Sequence, residues 1–409
     1  MKQENNNRME VTKISDPEIL HPLDDVYTAS LPIAGMAWIR TSEGFFLIDT
    51  LLTEIAAKKV IEKIDAPIKY IVYTHVHMDH VGGAQTFVKS YNPEIIANKY
   101  LPNRFDKYTR LANHRSLINA EQFNIPRITR PVDFLYPTKT FLGDLTITLG
   151  NKTFELHTCR AETDDAVWVY VPELNAAFIG DLMIGRNFPN VGNPHKPTRF
   201  ALDWAKELER IRDLNPEYIF CNGASTLYQK EEVSEALNAN IEAIRTLHDQ
   251  VIDLINQGVH ISEMIYKVKL PEQLEKSPYL QQAYSRPEFF VFNVYRWYHG
   301  YYDHNPAHLI PRPERERMNE IYSLIGNDSK ILSRVEELWS KDKIQLALEI
   351  LDILIQVEPD HMEALKWRIK LLKKLAQNDD CLMSKNAYLF QVKHDKKKVR
   401  KLRRKSKKN

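Results

Sequence analysis

Short apolar runs alternate with amphipathic stretches along the first 230 residues of the chain. Three runs between residues 26 and 50 are rich in β-branched or aromatic side chains and are separated by turn residues, so they predict β-strands. Residues 51–64 place apolar side chains at helical spacing, and Pro67 stops this predicted helix. The run 68–74 then predicts a strand that ends at His75. This order of elements indicates an α/β fold in which helices flank two sheets.

The pattern becomes helical from about residue 231. A continuous amphipathic pattern over 230–258 predicts one long helix, and residues 332–377 predict three helices with a break at 358–360. The last helices resemble a tetratricopeptide unit, but one unit does not make a solenoid, so we expect part of a helical domain. The predicted segments are an N-terminal segment 1–20, an α/β domain 21–230, a helical domain 231–392 with tetratricopeptide-like helices at 330–378, and a tail 393–409.

The charge is distributed unevenly along the 409 residues. The formal net charge is only +2, but residues 396–408 contain ten Lys or Arg and no acidic residue. A run of like charge of this length predicts a disordered tail that makes weak, nonspecific contacts. Neither interleaved aromatic residues nor a recognisable binding fold accompanies the tail, so nucleic acid is not an expected partner.

The cysteine pattern and the N-terminus exclude some classes of protein. The three cysteines are far apart and form no CxxC pair, which does not fit a disulfide framework. The N-terminal residues lack the apolar core of a secretory signal, and there is no run of 18 apolar residues. We therefore expect a cytoplasmic protein without a membrane span.

Four residues with metal-binding side chains fall within the six positions of residues 75–80, where the sequence reads HVHMDH. They are His75, His77, Asp79 and His80. Histidine and carboxylate ligands suit zinc, iron or manganese rather than calcium, and zinc takes about four ligands. Glycines 82 and 83 allow backbone segments to approach this loop closely. The cluster predicts a Zn²⁺ site, with another divalent transition metal as the alternative.

The HxHxDH motif resembles that of the metallo-β-lactamase superfamily. The strand that ends at Asp49 and the segment AAFIGD that ends at Asp181 extend this resemblance. A narrower resemblance, over roughly residues 20–392, is to the alkyl sulfatase type, which continues into an alkyl sulfatase dimerisation domain. The stretches that carry it are 114–123, 161–173, 180–208, 279–311 and 375–388. The resemblance implies a metallo-β-lactamase αββα sandwich, followed by an all-α dimerisation domain, in a homodimer.

The resemblance also implies the roles of individual residues. In that family a glutamate of a GETDD motif replaces a third histidine, and Glu162 holds this position. A hydroxide held by the metals would attack a sulfate ester or related ester, and Asp79 would also be the catalytic proton acceptor. A small alkyl sulfate is the implied substrate. The implied ligands are His75, His77 and Glu162 for the first metal, Asp79 and His80 for the second, and Asp181 as the bridge.

The chain departs from the family pattern near the second metal. The late turn that supplies a histidine in the family is FCNGA (220–224) here, with Gly223 in place of the histidine. Cys221 or Asn222 could replace this ligand, which leaves one or two metal ions per chain open. Ala166 replaces a second histidine of the pattern. If the fold has merely lost a ligand, Gly223→His is expected to raise hydrolysis.

Three functions are compatible with these residues. The first is a metal-dependent hydrolase that resembles alkyl sulfatases. The second is a pseudoenzyme with a degenerate metal site that acts as a dimeric binding protein. The third is another hydrolase of the same fold, such as a thioesterase or lactonase. Four residues after the metal loop suit an anionic substrate or form a solvated helix face, namely Arg110, Asn113, His114 and Arg115.

Overall fold

The computed structural model describes residues 16–127 and 133–407, which fall into two compact units. The first unit extends to Ser116 and resumes from residue 128 to Tyr298, and the second contains Leu117–Arg127 and the residues from His299 onwards. No helix in the described part of the chain is both long enough and apolar enough to cross a membrane. The first fifteen residues of the predicted N-terminal segment lie outside the described residues.

The strands of the first unit form two sheets within the described residues. The seven-stranded sheet has the order β1-β2-β3-β4-β5-β6-β7, and the six-stranded sheet has the order β13-β12-β11-β10-β9-β8. The strands are β1 (Glu18–Leu23), β2 (Val26–Leu31), β3 (Ala34–Thr41), β4 (Gly44–Ile48), β5 (Ile68–Val72), β6 (Glu94–Asn98), β7 (Lys139–Phe141), β8 (Asp144–Leu149), β9 (Lys152–Cys159), β10 (Ala166–Val171), β11 (Ala176–Phe178), β12 (Tyr218–Cys221) and β13 (Thr226–Gln229).

Helices follow or separate these strands, and the fifth of them passes from the first unit into the second at Leu117. They are α1 (Glu54–Ile61), α2 (Met78–Val81), α3 (Ala84–Tyr91), α4 (Leu101–Arg110), α5 (Ala112–Gln122), α6 (Ala201–Asp213), α7 (Glu231–Asn256), α8 (Ile261–Lys267), α9 (Glu272–Glu275) and α10 (Pro287–Tyr298). Two 3-10 turns, Pro172–Leu174 and Gly180–Leu182, flank β11.

The strand β4 shows why its sequence is apolar at every position. Phe45 and Leu47 point into the core between the seven-stranded sheet and its helices, whereas Phe46 and Ile48 point into the core between the two sheets. A strand buried on both faces has no polar alternation. A third core packs the six-stranded sheet against α6, α7 and α10. Two sheets with helices on both outer faces confirm the predicted αββα sandwich.

Parallel strands determine where loops meet. The strands β4, β5, β6 and β7 are parallel to one another, and β11 is parallel to β12. Their carboxyl ends therefore lie at one edge of each sheet, and the loops that follow them become neighbours. The helix α1 is shorter than the predicted 51–64, because Thr53 caps its N-terminus by accepting a hydrogen bond from the amide of Ala56.

The long helix predicted over 230–258 is confirmed as α7. This helix and α8–α10 belong to the first compact unit, which continues to Tyr298. The predicted α/β domain ends at residue 230, directly before α7. The helix packs there because its buried face, which includes Leu237, Ile244 and Leu247, joins the core of the six-stranded sheet.

The second unit contains the C-terminal part of α5 and further helices from Pro306 onwards. Its later helices are α11 (Pro306–Leu309), α12 (Glu314–Ile325), α13 (Asp328–Ser340), α14 (Ile344–Val357), α15 (Met362–Gln377) and α16 (Leu382–Ser406). The break between α14 and α15 lies at the predicted position, and apolar residues of α13, α14 and α15 share one core. The three helices predicted over residues 332–377 are therefore confirmed.

The prediction of a disordered basic tail from residue 393 is wrong for the residues that the structure describes there. The helix α16 continues to Ser406 with Val392, Asp395 and Val399 buried at helical spacing. Asp395 accepts two hydrogen bonds from Arg368 of α15, at 2.6 and 2.7 Å. The prediction considered only the run of charge. It did not take into account this buried face, which anchors the helix while most of the Lys and Arg side chains stay exposed.

Candidate metal centre

Three segments at the carboxyl ends of strands carry the six predicted ligand residues. The first follows β5 and includes the short helix α2, the second is the loop between β9 and β10, and the third is the 3-10 turn after β11. The structure brings all six residues together in two overlapping groups. The first group is His75, His77, Glu162 and Asp181, and the second is Asp79, His80 and Asp181.

The first group contains four candidate ligand atoms within 4.8 Å of one another. His75 Nε2 lies 2.8 Å from His77 Nδ1, and Glu162 Oε2 lies 3.7 Å from the former and 3.6 Å from the latter. Asp181 Oδ2 lies 3.9 Å from His75 Nε2. Four atoms bound tetrahedrally about 2.1 Å from a zinc ion lie about 3.4 Å apart, so this group fits such an ion.

The second group has three members. His80 Nε2 lies 3.5 Å from Asp79 Oδ2 and 3.4 Å from Asp181 Oδ1. Asp181 therefore presents one carboxylate oxygen to each group. The spacing suits a metal ion, but three protein ligands are fewer than the first group offers.

The burial of these groups also fits a cation. The side chain of Glu162 is 7% exposed and that of Asp181 is 11% exposed. Among the residues that the structure describes, none donates a hydrogen bond to the buried oxygens Glu162 Oε2 and Asp181 Oδ1. Buried carboxylate oxygens that lack a donor are costly unless a cation compensates them, and the histidine–carboxylate set suits a divalent transition metal.

The orientation of His80 is fixed by Asp49 at the end of β4. His80 Nδ1 donates a hydrogen bond to Asp49 Oδ2 at 2.6 Å, and the amide and hydroxyl of Thr74 donate to the two oxygens of the same carboxylate. Because the hydrogen bond to Asp49 uses Nδ1, Nε2 is the ring nitrogen that faces Asp79 and Asp181. A carboxylate behind a histidine in this way is the usual support for a metal-binding imidazole.

The orientation of Glu162 is fixed from the segment between β11 and α6. Glu162 Oε1 accepts hydrogen bonds from Asn190 Nδ2 at 2.8 Å and pairs with Arg199 Nη2 at 2.7 Å. Arg199 also donates to the carbonyl of Asn190, and its backbone amide donates to Asn293 Oδ1. These contacts occupy Oε1 and leave Oε2 directed at His75 and His77.

The protonation states of His75 and His77 suit metal binding. Burial lowers the pKa of His75 well below its ordinary value and that of His77 to about 3, so both imidazoles are neutral near pH 7. Burial also opposes the charged form of His80, but Asp49, Asp181 and Asp79 outweigh this and raise its pKa. A cation in the second group would compete with that proton.

The glycines after α2 hold the metal loop against the loop that follows β4. A Cβ atom on Gly82 would lie 2.0 Å from the carbonyl oxygen of Leu52, and one on Gly83 would lie 2.1 Å from that of Thr50. The predicted close backbone approach is therefore confirmed. It occurs between two loops, and it positions His80, whose carbonyl accepts a hydrogen bond from the amide of Thr50.

The late turn contributes to neither group within the described residues. Cys221 is buried in the apolar core beside α6 and α7, and burial raises the pKa of its thiol to about 12. Asn222 Nδ2 donates to Ser225 Oγ at 2.6 Å. The structure thus gives no support to Cys221 or Asn222 as the replacement ligand. Ala166 lines a small cavity together with Glu162 and Asp181.

The predicted anion-binding residues separate into two sets. Arg110, Asn113 and His114 are exposed, as expected for a solvated helix face. Arg115 is half-buried, with its guanidinium 5.7 Å from the ring centre of Tyr108, and its Nη1 is buried without an acceptor. Lys196 adds a second cation, because it interacts electrostatically with Arg115, Glu162 and Asp79.

Sequence reasoning missed Asn190, Arg199 and Lys196 and gave Asp49 no role at the site. Asp49 carried a signal, since it ends a buried strand directly before the metal loop. The segment 186–199 carried only a weak signal, namely its content of Asn, Pro and basic residues.

Comparison with known proteins identifies both parts of the chain. Residues 36–223 match the metallo-beta-lactamase superfamily, and residues 260–398 match the alkyl sulfatase dimerisation family. A linear primary-alkylsulfatase of a Pseudomonas species is 26% identical over 381 residues, covering 86% of this chain and 72% of the relative. The alkyl/aryl-sulfatase BDS1 of Saccharomyces cerevisiae is 22% identical, covering 90% of this chain and 62% of the relative.

A solved structure shares the fold. The stereoselective inverting sec-alkylsulfatase Pisa1 from Pseudomonas superposes with a TM-score of 0.83 at 20% identity, covering 93% of this chain and 66% of that chain. This chain therefore spans about two thirds of the length of these relatives.

Proposed function

Because the chain belongs to the metallo-β-lactamase superfamily and carries an alkyl sulfatase dimerisation domain, we propose that it is a metal-dependent hydrolase of alkyl sulfate esters. The observation that carries this proposal is the convergence of six histidine and carboxylate side chains in two overlapping groups. Zn²⁺ is the ion that such a donor set favours.

The ligand roles follow from the two groups. His75, His77 and Glu162 hold the first ion, and Asp79 and His80 form the second position. Asp181 can serve either, since it directs one oxygen to each. A bound divalent ion supplies Lewis acidity and brings the pKa of a water ligand near neutral.

Asp79 is the proton acceptor in this proposal. Its side chain is 27% exposed, more than any of the other five, so it borders the open side of the groups. Burial opposes its ionised form, but the nearby imidazoles of His80 and His77 outweigh this and lower its pKa. An ionised carboxylate at the open side can accept the proton that an attacking water loses.

Arg115 and Lys196 bind the anionic group of the substrate. The Nη1 atom of Arg115 lacks an acceptor, and a sulfate oxygen supplies one. Burial lowers the pKa of Lys196 to about 8, so its ammonium is still mostly protonated near pH 7. Two cations beside the ligand groups favour a sulfate ester over a neutral lactone or thioester.

Sulfate release from medium-chain alkyl sulfates, after metal removal and reconstitution with zinc, tests this function. We expect release by the wild type, loss in the metal-free protein, and at least a 100-fold loss in His77→Ala. His394→Ala, an exposed histidine of the second unit, is the matched control and should behave as wild type.

The alternative of a dimeric binding protein is favoured by the late turn, which lacks a ligand. It predicts a folded, metal-binding protein that hydrolyses none of the alkyl sulfates, thioesters or lactones. Homodimerisation is part of both proposals, because the dimerisation family matches residues 260–398. A cytoplasmic location stays a prediction.

A further inference from the structure

We infer that the centre binds one metal ion tightly, with His75, His77, Glu162 and Asp181 as its four ligands, and that the position at Asp79 and His80 fills only at much higher metal concentration. This inference rests on the proposed metal centre. The family resemblance implies Asp181 as a bridge between two ions; when only one ion is bound, the inference assigns Asp181 to that first ion through Oδ2.

The ligand count favours the first group. Its four atoms complete the tetrahedral set of a zinc ion without any further residue. The second group has three atoms only when Asp181 is included. When Asp181 Oδ2 binds the first ion, Asp181 Oδ1 still faces the second position, which then has three protein ligand atoms, one fewer than the first. Three ligand atoms are a weaker set for zinc than four.

The topology shows where a further ligand would have to originate. The strands β11 and β12 are parallel, so the turn after β12 lies beside the turn that carries Asp181. The amide of Asn222 donates to the carbonyl of Gly180 at 2.8 Å, which places the two turns in direct contact. Residues 222–225 therefore lie beside the turn that supplies Asp181.

Hydrogen bonds between its own residues hold the turn at 222–225. Asn222, Gly223 and Ala224 have left-handed φ angles of 51°, 58° and 63°. The side-chain amide of Asn222 donates to the hydroxyl of Ser225 at 2.6 Å, and that hydroxyl donates to the backbone carbonyl of Asn222 at 2.8 Å. The polar side chains of this turn therefore form hydrogen bonds within the turn, and Gly223 has no side chain.

The turn also cannot simply regain a side chain at Gly223. A Cβ atom there would lie 2.8 Å from the carbonyl oxygen of Gly35 and 2.9 Å from its amide nitrogen. A Cβ atom on Gly35 would lie 1.9 Å from the carbonyl oxygen of Gly223. The two backbones are in contact at the start of β3, so Gly223→His requires a backbone shift. The expectation that this variant raises hydrolysis does not follow from the structure.

Metal content measured against free zinc tests the inference without an activity readout. The full-length protein is equilibrated with buffered zinc over a wide concentration range, and bound zinc per chain is measured by mass spectrometry. We expect a plateau at one zinc per chain, with the second equivalent at least 100-fold weaker, since loss of even a supporting contact weakens a metal site 10–100-fold.

Variants distinguish the two positions. Glu162→Gln and Asp181→Asn should remove the tight equivalent or weaken it at least 10-fold, whereas Asp79→Asn and His80→Ala should leave it in place. Asp79→Asn keeps the test decisive if His80→Ala does not fold, because Asp79 is partly exposed and the change is isosteric.

Each outcome has a distinct meaning. Two equivalents of similar affinity, or loss of the tight equivalent in Asp79→Asn, would overturn the inference while the proposed hydrolase survives. A folded protein that binds no zinc over the whole range would overturn the proposed function as well.

Discussion

The pair formed by Arg199 and Glu162 shows how one buried residue can prepare another for a metal. Both side chains are nearly inaccessible, at 3% and 7% exposure, and Arg199 occupies only one carboxylate oxygen of Glu162. The remaining oxygen carries the charge that a cation would compensate. The guanidinium therefore stabilises the folded protein before metal binds and orients the carboxylate when it does.

Replacing Arg199 by Met should lower the free energy of unfolding of the metal-free protein by about 3–5 kcal/mol, because the variant leaves a buried carboxylate unpaired. Saturating zinc should recover part of this loss by compensating Glu162. Denaturant unfolding with and without zinc measures both effects. Arg312→Met breaks the exposed pair with Glu316 and should cost about 0–1 kcal/mol. Equal losses for the two variants would contradict the role given to Arg199.

At the scale of secondary-structure elements, α16 shows that a run of basic residues does not by itself predict disorder, because the packing of one helix face also matters. Ten basic residues over 396–408 are typical of a solvated segment, yet one face of this helix is buried against α15. The buried pair of Asp395 and Arg368 anchors the helix. Lys398 makes an additional contact with Asp360, whose side chain is 70% exposed.

Asp395→Asn should destabilise the second unit by about 3 kcal/mol, since it leaves a largely buried guanidinium without its carboxylate. Asp360→Asn is the matched control, because it removes the exposed partner of the same helix and should change stability by about 0–1 kcal/mol. Loss of helical circular dichroism during denaturation reports both. If the two variants unfold alike, the anchoring of α16 is not carried by Asp395.

At the scale of the whole molecule, the dimerisation domain has exposed apolar side chains that suit a contact with a second copy. Tyr301 and Ile310, both in the segment between α10 and α12, are each 87% exposed, and Leu309 is 44% exposed. Their position within residues 260–398 favours a role in the proposed homodimer.

The variant Ile310→Asp should shift the protein towards monomer at micromolar concentration, because a buried charge at an interface is costly. Light scattering after gel filtration measures the mass. Leu142→Asp is the control, since Leu142 is 56% exposed and lies outside residues 260–398, and it should leave the mass unchanged. A dimer that persists in Ile310→Asp would place the interface elsewhere.

The predictable part of the site was local in sequence. His75, His77, Asp79 and His80 stand within six positions, so their spacing alone indicated a metal, and the family resemblance added Glu162 and Asp181. The strands and helices around them could be predicted for the same reason, since hydrophobic periodicity is a property of neighbouring residues. The contacts that support the ligands could not be predicted in this way, because their partners are remote in the chain. Asp49 and His80, for example, are 31 residues apart.

The sequence by itself determined the element types, the αββα class and the identity of the six candidate ligands, because each depends on short-range pattern or on a motif. Only the tertiary structure decided which oxygen of Glu162 remains available, how Asp181 is shared, and that Gly223 lies against Gly35. It also decided that the basic segment is an anchored helix to Ser406. These features depend on distances between segments remote in the chain, and no local pattern encodes those distances.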